Sequence, residues 1–350
     1  MPQSLTPSSF TSSSSALSRR TLVAALCMAG VGVATNTAWA AKAQPKTAEA
    51  SAFDSETFNN ASDTPLLRSG SAGAAVARAQ ILLDRAWFSC GEIDGRFAAN
   101  MQRMVKAYQT ASGLKVTGTV TAETWTALRK DSEPLLTSYT VTEKDTAGPF
   151  EKTPVAMEER AKMKALVFES VEEALAEKFH TSIGYLKQLN KGGFAAGKEI
   201  TVPNVSVSVA PKSASSIEID KSSRVLYVLD SKGLLVAGFP ISIGNEKDDP
   251  LPIGMLAIKN EVKNPSFTYN PAILKNAPKD SPKVDVAPGP NNPVGSIWLG
   301  LTKPHWGIHG TPNPSKVGHS ETNGCIHMTN WDAERLSTLA KAGFKVNVKS

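Results

Sequence analysis

The chain has 350 residues, of which 41% are hydrophobic and 20% are charged. These proportions are typical of soluble globular protein, and they exclude a mostly disordered chain and a multi-span membrane protein. The 38 basic and 32 acidic side chains give a formal net charge of +6, which is too mild to indicate nucleic-acid binding. Three cysteines are too few for a disulfide scaffold. The length predicts two or three domains, at roughly 100–200 residues each.

Residues 1–40 predict export from the cytoplasm. Arg19 and Arg20 precede a short apolar run over 22–34, and a small-x-small cleavage site ends at Ala40. This order is typical of a secretory signal peptide, and the apolar run is too short to span a membrane. We therefore expect cleavage near Ala40 and a mature protein in the periplasm or cell envelope.

Residues 41–64 are rich in small and polar side chains without aliphatic periodicity, which predicts a flexible linker. Residues 65–130 carry apolar side chains at helical spacing in three stretches, which predicts a small three-helix bundle. This unit resembles the type 1 peptidoglycan-binding domain. The matching positions are Gly95, Phe97, Gln109, Gly118, Thr124, Trp125 and Leu128. The resemblance implies a module that binds the cell wall and carries no chemistry of its own.

Residues 138–204 read as a strand, two helices and a second strand. This order resembles LysM, a small α+β glycan-binding module. The matching positions include Tyr139, Val141, Leu186, Gly197 and Val202. Residues 147–168 depart from the LysM pattern as an insertion, so the resemblance implies the fold more strongly than the glycan contact.

Residues 215–350 predict a mostly β domain with one late helix. Short runs of β-branched and aromatic residues alternate with turn residues, and a helix is expected from Asn330 as its N-cap. Residues 260–293 are rich in Pro and Asn, and they predict a long loop beside a functional cleft.

Four of the five histidines lie in one stretch of 23 residues inside this domain, and Cys325 lies among them. They are His305, His309, His319 and His327. A cysteine nucleophile needs a nearby base, and His309 lies 16 positions upstream of the thiol. The turn pair Asn323-Gly324 would expose the thiol at a corner whose backbone N–H groups can stabilise an oxyanion.

Two other interpretations compete with the thiol nucleophile. His305 and His309 have the i, i+4 spacing of a zinc pair on a helix, but Pro304 and the neighbouring glycines favour strand or turn instead. The second alternative is a polar loop whose histidines have no chemical role.

The motifs of this domain favour the nucleophile. Residues 308–311 and 322–328 resemble the histidine and Gly-Cys motifs of the L,D-transpeptidase (YkuD) catalytic domain. Residues 251–254 and 289–295 resemble two further family elements, each of which contains glycine and proline. The resemblance implies that Cys325 is the nucleophile and that no cofactor or metal is needed. It also implies the roles of the neighbouring residues: His309 as base and acid, the Gly310 carbonyl as its orienting partner, Asn323 and Gly324 as the oxyanion backbone, and Thr322 and His327 as substrate contacts.

Two positions depart from the family pattern. Asn323 replaces a histidine, and His327 replaces an arginine that lies near the substrate. Because an unperturbed histidine has a pKa of about 6.5, the second change predicts a carboxylate contact that fades above neutral pH.

The reaction that the family implies is acyl transfer on peptidoglycan stem peptides, with D-Ala released and a thioester formed. An amine acceptor would then resolve the thioester, either on another stem peptide or on an envelope lipoprotein. With water as acceptor the enzyme would be an L,D-carboxypeptidase. The competing function is a non-catalytic protein that binds wall peptide and glycan, and a papain-like peptidase is disfavoured by the order of its residues.

Overall fold

The computed structural model of the protein describes residues 53–244, 251–272, 280–320 and 325–350. The predicted export signal over 1–40, and the first part of the predicted linker, lie outside these ranges. No helix within them is long and apolar enough to cross a membrane.

The N-terminal region is helical. Its helices are α1 (Ser55–Asn60), α2 (Ala74–Arg85), α3 (Ala99–Ala111) and α4 (Ala122–Leu128). Helices α2 to α4 form the predicted three-helix unit, with Met104 and Trp125 fully buried at its centre. Thr121 caps α4, because its hydroxyl accepts a hydrogen bond from the Thr124 N–H.

The prediction of a flexible linker is wrong where the structure describes this segment, from residue 53 onwards. Helix α1 lies inside that segment, and its Asp54 cap accepts a hydrogen bond from the Thr57 N–H. Phe58 is buried in an apolar cluster with Ile81 and Ile93. Phe58, with Phe53 packed against the same cluster, therefore anchors this segment, although the sequence around them has no aliphatic periodicity.

The middle region contains a two-stranded antiparallel sheet with helices between its strands. Its elements are β1 (Leu136–Thr140), α5 (Glu143–Thr146), α6 (Met157–Arg160), α7 (Val171–Lys178), α8 (Ile183–Leu189) and β2 (Glu199–Pro203). The strand, helix, helix, strand order is the one expected, and α5 and α6 are additional short helices. The LysM resemblance of the middle region, and glycan binding by it, stay predictions.

The C-terminal region is mostly β, as predicted, with one late helix. Its strands are β3 (Ala214–Asp220), β4 (Val225–Asp230), β5 (Leu235–Pro240), β6 (Gly254–Lys263), β7 (Phe267–Tyr269), β8 (Val284–Val286), β9 (Ile297–Leu301), β10 (Gly307–His309), β11 (Ile326–His327) and β12 (Lys345–Lys349). Eight strands form one sheet in the order β11-β10-β9-β6-β12-β3-β4-β5, while β7 and β8 pair separately as a hairpin.

Helix α9 (Asn330–Leu339) follows β11 and packs on the sheet through Ala333 and Leu336. Its N-cap is Thr329, whose side chain accepts from the Asp332 N–H. The expectation that Asn330 caps this helix is wrong by one residue. Because Asn330 is the first helical residue, its side chain is available for contacts elsewhere.

The helical region and the large sheet share an apolar core. Val225 of β4 lies in the same buried cluster as Phe88 and Met104. The backbone of Gly238 in β5 pairs with the segment after α2, through hydrogen bonds to Trp87 and from Ser89 of 2.8 and 3.1 Å. The described residues accordingly belong to one compact unit, Ala50–Ser350.

Candidate active site

A pair of parallel strands brings the predicted residues together. In β10 and β11, Ile308 is paired with Ile326, and His309 with His327. Both isoleucines are fully buried in the core of the sheet. Successive side chains of a strand point to opposite faces, so both histidines lie on the other face. Cys325 is two residues before His327 and lines the same cavity, as the alternation predicts.

His309 is held by two neighbours and is only 2% exposed. Its Nδ1 atom lies 2.7 Å from the Gly310 carbonyl oxygen, the contact expected for this pair. Its ring stacks on Trp298, with a centroid separation of 5.3 Å and an interplanar angle of 17°. Because a carbonyl can only accept, Nδ1 donates, and Nε2 carries the lone pair. Burial lowers the pKa of His309 to about 4, so the imidazole is neutral at neutral pH.

The backbone behind His309 is fixed by Asn330. A Cβ atom added to Gly310 would lie 2.1 Å from the Asn330 Oδ1 atom, so only glycine fits there. Asn330 Oδ1 accepts from the Ser296 N–H at 3.2 Å. Asn330 Nδ2 donates to Glu177 Oε1 at 2.7 Å. Burial raises the pKa of Glu177 to about 8, so this carboxyl is protonated at neutral pH. No motif in the sequence marks this support, since Glu177 belongs to the middle region.

Cys325 is partly exposed at the start of β11. Its Sγ atom lies 3.5 Å from the carbonyl oxygen of His305, towards which the thiol donates. His305 has a positive φ of 65°, an uncommon backbone conformation for a residue other than glycine. The preceding residues Thr322, Asn323 and Gly324 lie outside the described ranges. The predicted oxyanion backbone and the Thr322 contact therefore stay predictions.

The thiol and both histidines open into one cavity of about 860 Å³. The cavity walls include the β6–β9 side of the sheet, strand β7, the loop between β9 and β10, and the insertion in the middle region. The lining residues include Asn260, Phe267, Tyr269, Trp298, Lys303, His305, Trp306 and Met157. Met157 shows that the segment departing from the LysM pattern reaches the site. Trp298 and Trp306, which more often belong to a core, line the cavity as well.

The predicted protonation of His327 is wrong. Its ring lies 4.3 Å from the His309 ring, measured between centroids. Burial, together with the neighbouring His309, lowers the pKa of His327 well below its ordinary value. A neutral imidazole cannot supply the positive charge that an arginine would supply at this position, and no charge is lost around pH 6.5.

The other cysteine and the other two histidines of the described residues do not line the cavity. Cys90 is buried between the helical region and the sheet, and burial raises the pKa of its thiol. His180 stacks on Trp331 and lies 3.1 Å from a carboxylate oxygen of Asp84. His319 is exposed. Among the described residues, no group of three or more His, Cys, Asp or Glu side chains is placed to hold a metal ion.

Two family models match separate parts of the chain. The model described as the L,D-transpeptidase catalytic domain (YkuD) matches residues 214–348, and a peptidoglycan binding domain model matches residues 72–128. Both resemblances that the motifs indicated are thereby confirmed, whereas the LysM resemblance has no such support.

Curated relatives carry names of the same family. A YkuD protein of Bacillus licheniformis, named as a candidate L,D-transpeptidase, is 29% identical over 180 residues, covering 50% of this chain and 92% of the relative. The Bacillus subtilis protein of that name is 26% identical over 188 residues, covering 50% of this chain and 91% of the relative. The crystal structure of an L,D-transpeptidase from Xylanimonas cellulosilytica is 16% identical, with a TM-score of 0.37, and the match covers 82% of this chain and 99% of that one.

Proposed function

The chain carries an L,D-transpeptidase catalytic domain beside a peptidoglycan binding domain, and from this we propose that it is exported and transfers acyl groups between peptidoglycan stem peptides through a thioester on Cys325. Residues 72–128 would hold the enzyme on the wall. The observation that carries the proposal is the β10–β11 pairing, which sets His309 beside His327 in the cavity of the Cys325 thiol.

The proposed reaction begins with proton transfer from the Cys325 thiol to Nε2 of His309. The sulfur attacks the carbonyl carbon between the third stem residue, a diamino acid reacting at its L centre, and the D-Ala at position four. The carbon–nitrogen bond breaks, and His309 returns the proton to the D-Ala amine, which leaves. The thioester then reacts with an amine, whose proton passes to His309, and the thiol is released.

The geometry of His309 supports its role as the base. A neutral imidazole with Nδ1–H bound to the Gly310 carbonyl has one fixed tautomer, so its lone pair is on Nε2. The low pKa of His309 keeps this base form present at neutral pH. The acceptor amine remains open between another stem peptide and an envelope lipoprotein.

Incubation with a carbapenem, followed by intact-mass measurement, tests the nucleophile. Wild type should gain one adduct, and Cys325→Ala should gain none. Cys90→Ala is the matched control, and it should still be acylated because Cys90 is buried outside the cavity. An adduct on Cys325→Ala would assign the chemistry to another residue.

Muropeptide analysis after incubation with the purified enzyme separates the acceptors. Cross-linked dimers with released D-Ala would support transpeptidation. Tripeptide with released D-Ala and no dimer would identify an L,D-carboxypeptidase. Unchanged muropeptides, with the protein bound to sacculi, would identify a non-catalytic wall-binding protein.

A further inference from the structure

Three ring side chains stand in a row across the strands beside the cavity. In the antiparallel pair β9–β10, Trp298 lies opposite His309, and in the parallel pair β10–β11, His309 is paired with His327. Residues paired across neighbouring strands project from the same face of a sheet. The His309 ring accordingly has the Trp298 indole on one side and the His327 imidazole on the other, at centroid separations of 5.3 and 4.3 Å.

The indole is the better aligned of these two neighbours. Its plane lies 17° from the plane of the His309 imidazole, whereas the His327 ring is tilted by 50°. Aromatic rings at such separations attract each other when they are stacked with an offset. Because the Trp298 indole lies along one face of the imidazole, it opposes rotation of the His309 side chain and keeps water from that face.

Two glycines leave room for the indole. Gly307 and Gly300 form the cross-strand pair two residues away from the pair of His309 and Trp298. A Cβ atom added to Gly307 would lie 2.5 Å from Cζ2 of the indole and 2.7 Å from its Cε2 and Cη2 atoms. The φ of Gly307 is not positive, so an alanine there would act only through its methyl group. That methyl group would displace the indole from its stack.

The stack complements the hydrogen bond that His309 makes to the backbone. The bond from Nδ1 to the Gly310 carbonyl decides which ring nitrogen faces the backbone, but the imidazole plane could still tilt about it. The stacked indole fixes that plane, and Nε2 is then the nitrogen available to the thiol. Such precision matters for catalysis, since a misplacement of about 1 Å can cost about 10²-fold in rate.

We propose that Trp298 is a positioning residue for the proposed acyl transfer, holding the His309 imidazole in the plane that presents Nε2 to the Cys325 thiol. This assignment rests on the proposed function, and it adds a residue outside the histidine and Gly-Cys motifs. Trp298 acts through His309 and exchanges no proton with the substrate.

The indole also contributes to the burial of the imidazole. Burial is the cause that lowers the pKa of His309 to about 4. Helix α9, which packs behind β10, places the uncharged Asn330 against Gly310. None of the described lining residues is a carboxylate, so hydration of the ring should raise the pKa of His309 towards about 6.5 when the indole is removed. The other titratable side chains in the described lining are Tyr269, Lys303, His305, Cys325 and His327.

The test measures kcat and KM for D-Ala release from a soluble tetrapeptide between pH 4 and 8. The enzymes are wild type, Trp298→Phe, Trp298→Leu, Gly307→Ala and the double variant that carries both Trp298→Phe and Gly307→Ala. The matched control is Trp331→Leu. Trp331 stacks on His180 at 5.5 Å and 10°, so its replacement removes a second Trp–His stack, one that does not line the cavity.

Trp298→Leu and Gly307→Ala should each lower kcat at pH 7 by about 10- to 100-fold, with little change in KM, because the base is present but misplaced. In Trp298→Leu the acid limb of kcat should also move up from near pH 4 towards pH 6.5. Trp331→Leu should keep the acid limb of wild type, whatever it loses in stability.

Trp298→Phe should keep most of the rate, since a phenyl ring can still stack on the imidazole. It should also tolerate Gly307→Ala, because the shorter phenyl ring leaves space for the added methyl group. The two substitutions should therefore be far from additive, as expected for residues in contact. Should Trp298→Leu fail to fold, this comparison decides: rescue in the double variant supports the positioning role, and additive losses overturn it.

The positioning role is also overturned if Trp298→Leu raises KM alone and keeps the kcat and acid limb of wild type, which would make Trp298 a substrate contact. Full activity in Gly307→Ala would overturn it as well. These outcomes leave the proposed function standing, because wild type still releases D-Ala. A wild type that releases no D-Ala would overturn the proposed function, and the role of Trp298 with it.

Discussion

Asn100 and Val317 lie 217 positions apart, yet the Asn100 Nδ2 atom donates to the Val317 carbonyl oxygen at 2.8 Å. Asn100 belongs to helix α3, and Val317 lies in the loop between His309 and Cys325. The Cβ position of Gly318, whose φ is +81°, lies 2.1 Å from Asn100 Oδ1, so the loop backbone closely approaches this side chain. A helix of the region matched by the peptidoglycan binding domain model therefore supports the loop that joins the proposed base to the proposed nucleophile.

Replacing Asn100 should reduce catalysis even with a soluble donor that needs no wall binding. Asn100→Ala leaves the buried Val317 carbonyl without this donor, which costs about 1–3 kcal/mol. We expect a lower Tm and a lower kcat/KM for soluble tetrapeptide. The control is Gln102→Ala on the same helix, which should leave both values near wild type. Full activity and an unchanged Tm in Asn100→Ala would contradict the proposed coupling.

The C-terminal region should not be stable as an isolated fragment. Tyr227 and Leu235 pack against the cluster that holds Phe88 and Met104, so removing the helices exposes their apolar faces. Each large apolar side chain returned to water costs about 1.5–3 kcal/mol. We expect fragment 205–350 to aggregate or unfold at low temperature, and fragment 53–350 to unfold in one cooperative transition. Calorimetry of both fragments checks this, and a folded, fully active 205–350 would refute it.

The imidazole of His309, the proposed base, should take up a proton only far below neutral pH. Because the pKa of His309 is lowered to about 4, its neutral form predominates at every pH above that value. The imidazole should therefore cause no loss of acylation rate between pH 8 and 5, and a fall should begin only as the pH approaches 4. Stopped-flow acylation by a carbapenem measures this profile. A half-maximal rate near pH 6.5 would show that the imidazole is not buried in solution.

His309→Ala should lower the rate of acylation by a carbapenem by about 10²–10⁴-fold, the usual contribution of a positioned base. His319→Ala is the matched control, because this exposed histidine does not line the cavity. Comparable losses in the two variants would contradict the assignment.

Glu177 should make stability depend on pH. Its pKa is raised to about 8 in the folded protein, so folding takes up a proton wherever the unfolded carboxyl is ionised. Its contribution to stability is greatest below the ordinary glutamate pKa and decreases as the pH rises from about 4.5 to about 8. Glu177→Gln should remove this decrease and keep kcat, because its amide oxygen can still accept from Asn330.

Thermal unfolding of wild type and Glu177→Gln from pH 5 to 9 measures the effect. Glu177→Ala lacks the acceptor and should lose both stability and kcat. Parallel curves for wild type and the glutamine variant would show that the Glu177 carboxyl is already ionised in the folded protein.

Local patterns in the sequence were sufficient to predict the centre of the site. The contact between His309 and the Gly310 carbonyl was implied by the family resemblance, and it is present in the structure. Strand alternation likewise placed Cys325 and His327 on one face. Through the family resemblance, the histidine and Gly-Cys motifs indicated that His309 and Cys325 act in one site, and the β10–β11 pairing itself was found only in the structure.

The surroundings of that centre could not be predicted, because they depend on contacts between distant segments. No local pattern connects Asn100 with the loop at Val317, or the Met157 insertion with the cavity wall. The pKa of His327 depends on burial, which is decided by packing against His309 and the cavity lining. The burial of Phe58 likewise depends on Ile81 and Ile93, which belong to other elements.

The apolar contact between helix α3 and strands β4 and β5 restricts how this protein can be recombined. Modules joined by exposed linkers can be exchanged because few contacts cross their boundary. Here Met104 and Phe88 both lie within 3.3 Å of the Cβ position of Gly238. A foreign wall-binding module grafted in place of these helices would have to reproduce that surface. Retargeting the enzyme to another polymer therefore calls for redesign of the exposed face of the resident helices, with their inner face retained.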